Sequence, residues 1–325
     1  SLHGRSSDLA IFPILATGLN QFIVAQGYSG IGMATTAIGA AANIALDPLF
    51  IFVFDLDAAG AATATVISQF FSFAFVIVFL RLKNTKVRLT FAKPSFPVIG
   101  KTVKLGLSPF IIMATDSVII IVSNAVLQKY GGADGDMWIT VSTVVQAFFS
   151  LISMPMMGIS TGSQPVISYN YGAKNIPLIK KAEKIILGMC LAFTCIMFAL
   201  SFAVAAPFVS LFTSDARIAA NSVWGIRVFM IGVIPLSFQY AFVDCLTALG
   251  QPQYSVVLSM FRKLIVYLGC TLILPALLGA QAAFYAEPAC DIAAAAVSTA
   301  VFLAVFPKVL KKRAAEGDKP HNDAE

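Results

Sequence analysis

The chain has 325 residues, of which 58% are hydrophobic and only 12% are charged, and its net charge is +6. Its mean hydropathy is +0.85. A soluble domain carries about 25% charged residues, so the composition excludes an ordinary soluble protein. It predicts an all-α, polytopic bundle of transmembrane helices.

Apolar runs of about 20 residues, the length that crosses a bilayer, occur along the whole chain. They predict nine spans joined by short links, which indicates a single packed bundle. In chain order the predicted spans are residues 9–26, 31–54, 58–80, 97–127, 138–165, 183–213, 218–249, 254–278 and 282–306.

The basic residues concentrate in three clusters, at 81–104, 174–184 and 308–313. All three fall on one side of the predicted membrane, and the positive-inside rule assigns that side to the cytoplasm. The charge therefore indicates topology in the inner (plasma) membrane, with a cytoplasmic C-terminus and lipids as the surroundings, and not a nucleic-acid partner.

The longest polar stretch follows the third predicted span, so that three spans precede it and six follow it. We therefore predict an incomplete first lobe at 1–80, a cytoplasmic linker at 81–96, a second lobe at 97–308 and a cytoplasmic tail at 309–325. If the two lobes are duplicates, about three helices are expected to be missing before Ser1.

An enzyme is not predicted. His3 and His321 lie near the ends of the chain, so no histidine-based catalytic or zinc site is expected. The five cysteines show no metal-ligand spacing, and they are interpreted as small buried hydrophobes. No phosphate-binding glycine loop is present, which argues against an ATP-driven pump on this chain.

The second span contains "AANIALDPLFIF", in which Asn43 and Asp47 are four residues apart and share one helix face. Pro48 removes a backbone N–H and frees the carbonyl of Ile44, which loosens the helix. An acid inside a membrane span costs roughly 2.5–3.5 kcal/mol. The pattern therefore predicts a proton or small-cation site, with a structural polar pair as the alternative.

Other polar residues within spans extend this prediction. Asn20 in the first span and Thr65 in the third are candidates to complete the cation site. Asp116, a lone acid in the fourth span, is a candidate substrate or second cation site. Asp244 is closer to the cytoplasmic end of its span, where a solvated role and a functional role are equally well supported.

Charged residues in the last spans predict a structural ion-pair network. Glu287 and Asp291 are four residues apart on either side of Pro288, and Arg227 and Arg262 are the candidate partners.

The sequence also contains an internal repeat. "AQGYSGIGM" at 25–33 is similar to "ALGQPQYSVVLSM" at 248–260, and "GAATATVISQ" at 60–69 is similar to "AAFYAEPACD" at 282–291. Internal repeats with a binding site near the bilayer midplane are typical of secondary transporters.

The stretch "PMMGISTGSQPVISYNYGAKN", residues 155–175, is rich in glycine and proline and predicts an irregular turn at a helix end. It resembles the signature after the eighth helix of multidrug and toxic compound extrusion (MATE) transporters. "GAAANIALDPLFIFVFDLDAAGAATATVISQ" is similar to the fifth and sixth helices of that family, and "AEPACD" to the twelfth.

The resemblance extends from about Asn20 to Pro307 and implies helices four to twelve of a twelve-helix, two-lobe (6+6) transporter. It implies export of drugs or organic cations in exchange for H⁺ or Na⁺, with no other cofactor and a monomeric state. Asn20, Asn43, Asp47 and Thr65 match the family's first-lobe cation network, apart from an acid on the absent first helix.

In the second lobe the resemblance is less complete. Asp116 matches an acid on the seventh helix of some members, whereas Phe238 occupies the approximate place of their tenth-helix acid. Because this second acid set is incomplete, H⁺ is favoured over Na⁺.

Three alternatives remain open. A lipid-linked oligosaccharide flippase of the same superfamily would require a cavity lined with several Arg or Lys for pyrophosphate, whereas the deep cationic residues are Arg227, Arg262 and Lys263. A membrane-embedded enzyme would require a catalytic constellation within the spans. The third alternative is an inactive fragment.

Overall fold

The structure is a computed structural model that describes residues 11–82, 89 and 95–315. Within these residues every regular element is a helix. The all-α prediction is therefore confirmed for the described part. Most of the predicted linker at 81–96, and the tail from residue 316 onward, lie outside the described residues.

The chain divides into two compact units, and the first unit comprises residues 1–95. Its elements are α1 (Ile11–Ala25), α2 (Ser29–Pro48), a π-helical segment (Leu49–Val53) and α3 (Asp57–Arg81). Small residues let α2 and α3 approach closely, as is common between membrane helices. A Cβ atom at Gly39 would clash with the side chain of Ser72, and the Ser72 hydroxyl donates to the carbonyl of Thr35 at 3.0 Å.

The second unit, residues 96–325, is organised around Ala216–Ala248, the most buried of its described helices. Its elements are α4 (Phe96–Gly131), a 3₁₀ turn (Gly132–Asp134), α5 (Gly135–Gly172), α6 (Ile176–Ser210), α7 (Ala216–Ala248), α8 (Pro252–Met260), a π-helical segment (Phe261–Tyr267), α9 (Leu268–Leu278), a 3₁₀ segment (Ala280–Tyr285) and α10 (Ala286–Ala315). The main neighbours of α7 are α5, α6 and α10, and α7 also contacts α8 and the 3₁₀ segment Ala280–Tyr285.

The helices of the structure can be compared with the nine predicted membrane spans. Among the described residues, seven helical stretches are long and apolar enough to cross a membrane. One of them, Ala114–Gly172, includes parts of both α4 and α5, while α1 has only 15 residues. The count of nine spans therefore stays a prediction.

The irregular turn predicted at a helix end within residues 155–175 lies at 173–175. It follows α5, which continues as a helix to Gly172 with Pro155 and Pro165 inside it, so the two prolines do not end the helix. Membrane helices tolerate proline since neighbouring helices and hydroxyl side chains satisfy the freed backbone groups. The helix ends instead where Arg313 Nε donates to the carbonyl of Tyr171 at 3.0 Å.

The internal repeat coincides with a shared backbone turn. Gly27 and Gly250 have positive φ angles of 91° and 73°, a region that favours glycine. In each turn the next residue donates its N–H to a carbonyl five residues back, from Tyr28 to Ile23 and from Gln251 to Leu246. The two similar sequences thus form the same helix-ending turn.

Candidate functional site

The first unit contains a cavity of about 430 Å³ between α1, α2 and α3, here called the first-unit cavity. Asn20, Asn43 and Thr65 line it. Asn43 Nδ2 donates to Asp47 Oδ1 at 3.2 Å and lies 3.5 Å from Thr65 Oγ1. Three of the four residues predicted to bind a cation are therefore in mutual contact through Asn43.

Asn20 shares this cavity, but it bonds elsewhere. Its amide nitrogen donates to the carbonyl of Gly32 at 3.1 Å, which ties α1 to α2. Its Oδ1 is buried and has no hydrogen-bond partner among the described residues. Asn20 therefore presents an unused acceptor beside the polar group.

The backbone next to Asp47 is irregular, as the proline predicts. The regular part of α2 ends at Pro48, and the π-helical segment Leu49–Val53 follows at once. Proline removes one helical hydrogen bond, and π segments commonly occur at functional sites. Asp47 therefore lies beside a point where the helix departs from regular geometry.

The second unit contains a cavity of about 320 Å³, the second-unit cavity, which is lined by both acidic and basic side chains. Asp116 on α4 lies in it and forms an ion pair with Lys263 of the π-helical segment. The proposed role of Asp116 as a substrate or cation site stays a prediction. In this structure its carboxylate is engaged in the ion pair with Lys263.

Arg262 forms the ion pairs predicted for the last helices. Its Nη2 lies 2.8 Å from Glu287 Oε1 and 2.8 Å from Asp291 Oδ1. Arg227 is different, because its side chain is exposed and no ion pair involves it within the described residues. Its neighbours Ile226 and Val228 are buried, which leaves Arg227 on the outer face of α7.

Asp244 is held more closely than its position suggested. Its Oδ2 accepts hydrogen bonds from Ser160 and, at 3.2 Å, from Thr161, both on α5. Asp244 is thus held against α5 by two hydroxyl groups. These contacts join residues more than 80 positions apart, so local spacing gives no sign of them.

Glu183 on α6 is a buried acid that the sequence analysis missed. It is only 4% exposed, and neither carboxylate oxygen has a hydrogen-bond partner among the described residues. The neighbouring lysines made the segment look like a surface cluster. The helical spacing of Ile179, Glu183, Ile186 and Cys190 is the signal that could have placed Glu183 on a buried face.

These features define a multi-pass, helix-bundle integral membrane protein with polar cavities between its helices. The MatE family profile matches residues 110–272, half of the chain, and the chain therefore belongs to the MatE family. The resemblance to MATE transporters is confirmed.

A curated relative, the multidrug export protein MepA of Staphylococcus aureus (strain MSSA476), is 28% identical over 263 residues, or 79% of this chain and 56% of MepA. The chain thus spans about half the length of the curated relatives it matches.

Solved structures support the same fold. An outward-facing multidrug resistance MATE transporter of the MOP superfamily superposes with a TM-score of 0.80 at 23% identity, covering 90% of this chain and 66% of that one. A MATE structure in complex with MaL6 gives 0.81 at 22% identity, covering 94% and 68%.

Proposed function

We propose that the protein is a cation-coupled antiporter that exports small lipophilic or cationic molecules, including drugs, across the plasma membrane by alternating access. It works as a monomer with a cytoplasmic C-terminus, and its coupling ion is H⁺ rather than Na⁺. The observation that carries the proposal is the contact of Asn43 with Asp47 and Thr65 at a cavity among membrane helices.

Asp47 is the group that binds the coupling ion. A hydrogen bond to a charged carboxylate is roughly twice as strong as a neutral one. Protonation of Asp47 therefore weakens its attraction for the Asn43 amide. Pro48 and the π-helical segment lie next to it, so a change in this contact acts where the helix bends most readily.

Proton binding and substrate binding favour different arrangements of the transporter. A ligand shifts such an equilibrium only by its difference in affinity between the two states. Export follows when proton and substrate compete for the outward-facing state, so that proton entry drives substrate release.

Two features favour H⁺ over Na⁺. Asp116, the acid that matches a second cation site in some family members, is already paired with Lys263. Phe238 occupies the approximate place of the other acid. The flippase alternative is not favoured, because it requires several Arg or Lys in its cavity for pyrophosphate. Arg262 and Lys263 are both paired with acids, and Arg227 lies on the outer face of α7.

The test is efflux of ethidium from cells that express the complete gene, under an imposed pH gradient and then a Na⁺ gradient. Asp47→Asn removes the acid, and Asp55→Asn is the matched control. Asp55 is exposed, and its positive φ of 49° is a conformation that Asn also tolerates.

The proposal predicts efflux that follows the pH gradient, is lost in Asp47→Asn and persists in Asp55→Asn. Efflux that follows only the Na⁺ gradient contradicts the choice of ion. No efflux under either gradient, from protein shown to be in the membrane, refutes the proposal. Coupling that survives in Asp47→Asn refutes the role of this residue.

A further inference from the structure

Two acids in the second unit share a single arginine. Besides the two ion pairs of its Nη2, Arg262 donates from Nε to Asp291 Oδ1 at 3.0 Å. Glu287 and Asp291 lie one turn apart on α10, so both reach the same guanidinium. One positive charge thus contacts two carboxyl groups.

Among the described side chains that line the second-unit cavity, no second cation balances this cluster. The other charged or titratable groups there are Asp116 on α4, Tyr240 on α7, Lys263 and Tyr267 in the π-helical segment, and Cys290 on α10. Lys263 is the remaining cation, and it is engaged by Asp116. If both acids of the cluster were ionised, the cluster would carry one net negative charge.

The cluster is also buried. The side chains of Arg262 and Glu287 are each 12% exposed, and that of Asp291 is fully buried. Asp291 Oδ2 has no hydrogen-bond partner among the described residues. An uncompensated buried carboxylate is so costly that such a group becomes neutral instead.

We propose that Glu287 and Asp291 share one bound proton at neutral pH, which makes this cluster a second proton-binding site. The proton balances the charge that Arg262 leaves uncompensated. A contribution of proton exchange at this cluster to export would rest on the proposed function. Proton binding itself does not, because it follows from the geometry of this cluster.

The internal repeat supports this assignment independently. Counted from Ala64 and Ala286, which occupy matching positions in the two similar sequences, Thr65 corresponds to Glu287. Thr65 contacts Asn43 at the first-unit cavity. The position that supplies a hydroxyl to the polar group of the first unit therefore supplies an acid in the second unit.

A proton fits this cluster better than a metal ion does. Glu287, Cys290 and Asp291 place their ligand atoms within 4.8 Å of one another, which is compatible with metal binding. Arg262, however, already contacts an oxygen of each carboxylate. A second cation at these oxygens would be repelled by the guanidinium at short range and in a weakly screened environment.

Infrared spectroscopy of the purified chain in detergent tests the proposal, because a protonated carboxyl group has its own C=O stretching band. The variants are Asp291→Asn, Glu287→Gln and the double variant. Asp134→Asn is the control, since Asp134 forms an exposed pair with Arg217 at 2.6 Å. Glu287→Gln also keeps the test valid if Asp291→Asn fails to fold.

The expected result is that each single variant loses one protonated carboxyl relative to the wild type, because the remaining acid then pairs with Arg262 as a carboxylate. The double variant loses the same single group, and Asp134→Asn loses none. If no variant of the cluster loses a protonated carboxyl, both acids are ionised and the proposal is overturned. A stoichiometric metal found by elemental analysis in the wild type and absent from Asp291→Asn also overturns it.

This measurement separates the two proposals because it requires no transport. Loss of the expected band in the variants, together with no ethidium efflux in cells, refutes the proposed function and leaves the proton site in place. Coupled efflux, together with no protonated carboxyl in this cluster, refutes the proton site alone.

Discussion

Replacing Gly232 by alanine should destabilise the second unit, because this glycine of α7 lies directly against α10. A Cβ atom at Gly232 would lie 2.8 Å from Pro288 Cα and 2.8 Å from Asp291 Oδ2. Carbon atoms in favourable contact are separated by about 3.5–4.0 Å. Since Pro288 Cα belongs to the backbone, it cannot turn away, and the two helices must separate.

Overpacking of this kind costs about 1–3 kcal/mol. Each kcal/mol lowers the unfolding midpoint by about 2–4 °C in a unit of 150–250 residues. We therefore expect Gly232→Ala to unfold about 2–12 °C below the wild type. The measurement is thermal unfolding of the purified protein in detergent.

Gly188→Ala is the matched control in α6. A Cβ at Gly188 meets no atom within 4 Å, and alanine stabilises a helix interior by about 0.5–1 kcal/mol relative to glycine. The same substitution should therefore leave the midpoint unchanged or raise it. If Gly232→Ala is as stable as Gly188→Ala, the close contact of α7 with α10 is not the constraint described above.

Three further substitutions test other parts of the fold with the same assay. Glu183→Leu should raise the unfolding free energy by about 1–3 kcal/mol, because it removes a buried polar group without hydrogen-bond partners; a lower midpoint would show that the acid is compensated. Gly27→Ala and Gly250→Ala should each cost about 1–2 kcal/mol, since alanine is strained at positive φ. A penalty at one position alone would argue against equivalent turns.

Interactions within one helix could be predicted from the sequence. The four-residue spacing predicts that Asn43 and Asp47 share a face, and the two side chains are hydrogen-bonded. The same spacing brings Glu287 and Asp291 to one guanidinium. Helical periodicity determines this geometry, because residues four apart on a helix are neighbours regardless of how the helix packs in the fold.

Interactions between helices could not be predicted in the same way. The sequence offers Arg227 and Arg262 as equal candidates, and only the packing of α7 turns Arg227 outward. The pairing of Lys263 with Asp116 joins elements almost 150 residues apart. The sequence also did not show that α5 continues through Pro155 and Pro165 before its turn, since the contacts that stabilise this part of the helix come from neighbouring helices.

The two cavities differ in how their acids are compensated, and this difference supports the assignment of the coupling site. In the second-unit cavity Asp116, Glu287 and Asp291 all contact a cationic side chain. Asp47, which contacts the lining residue Asn43, has no cationic partner among the described residues. A proton that binds Asp47 therefore neutralises a charge without a cationic partner among the described residues, whereas in the second unit Arg262 already compensates part of the acidic charge. A conformational equilibrium responds to the difference in interaction energy between its states. We therefore expect protonation of Asp47, the acid without a cationic partner among the described residues, to shift this equilibrium more than protonation in the second unit does.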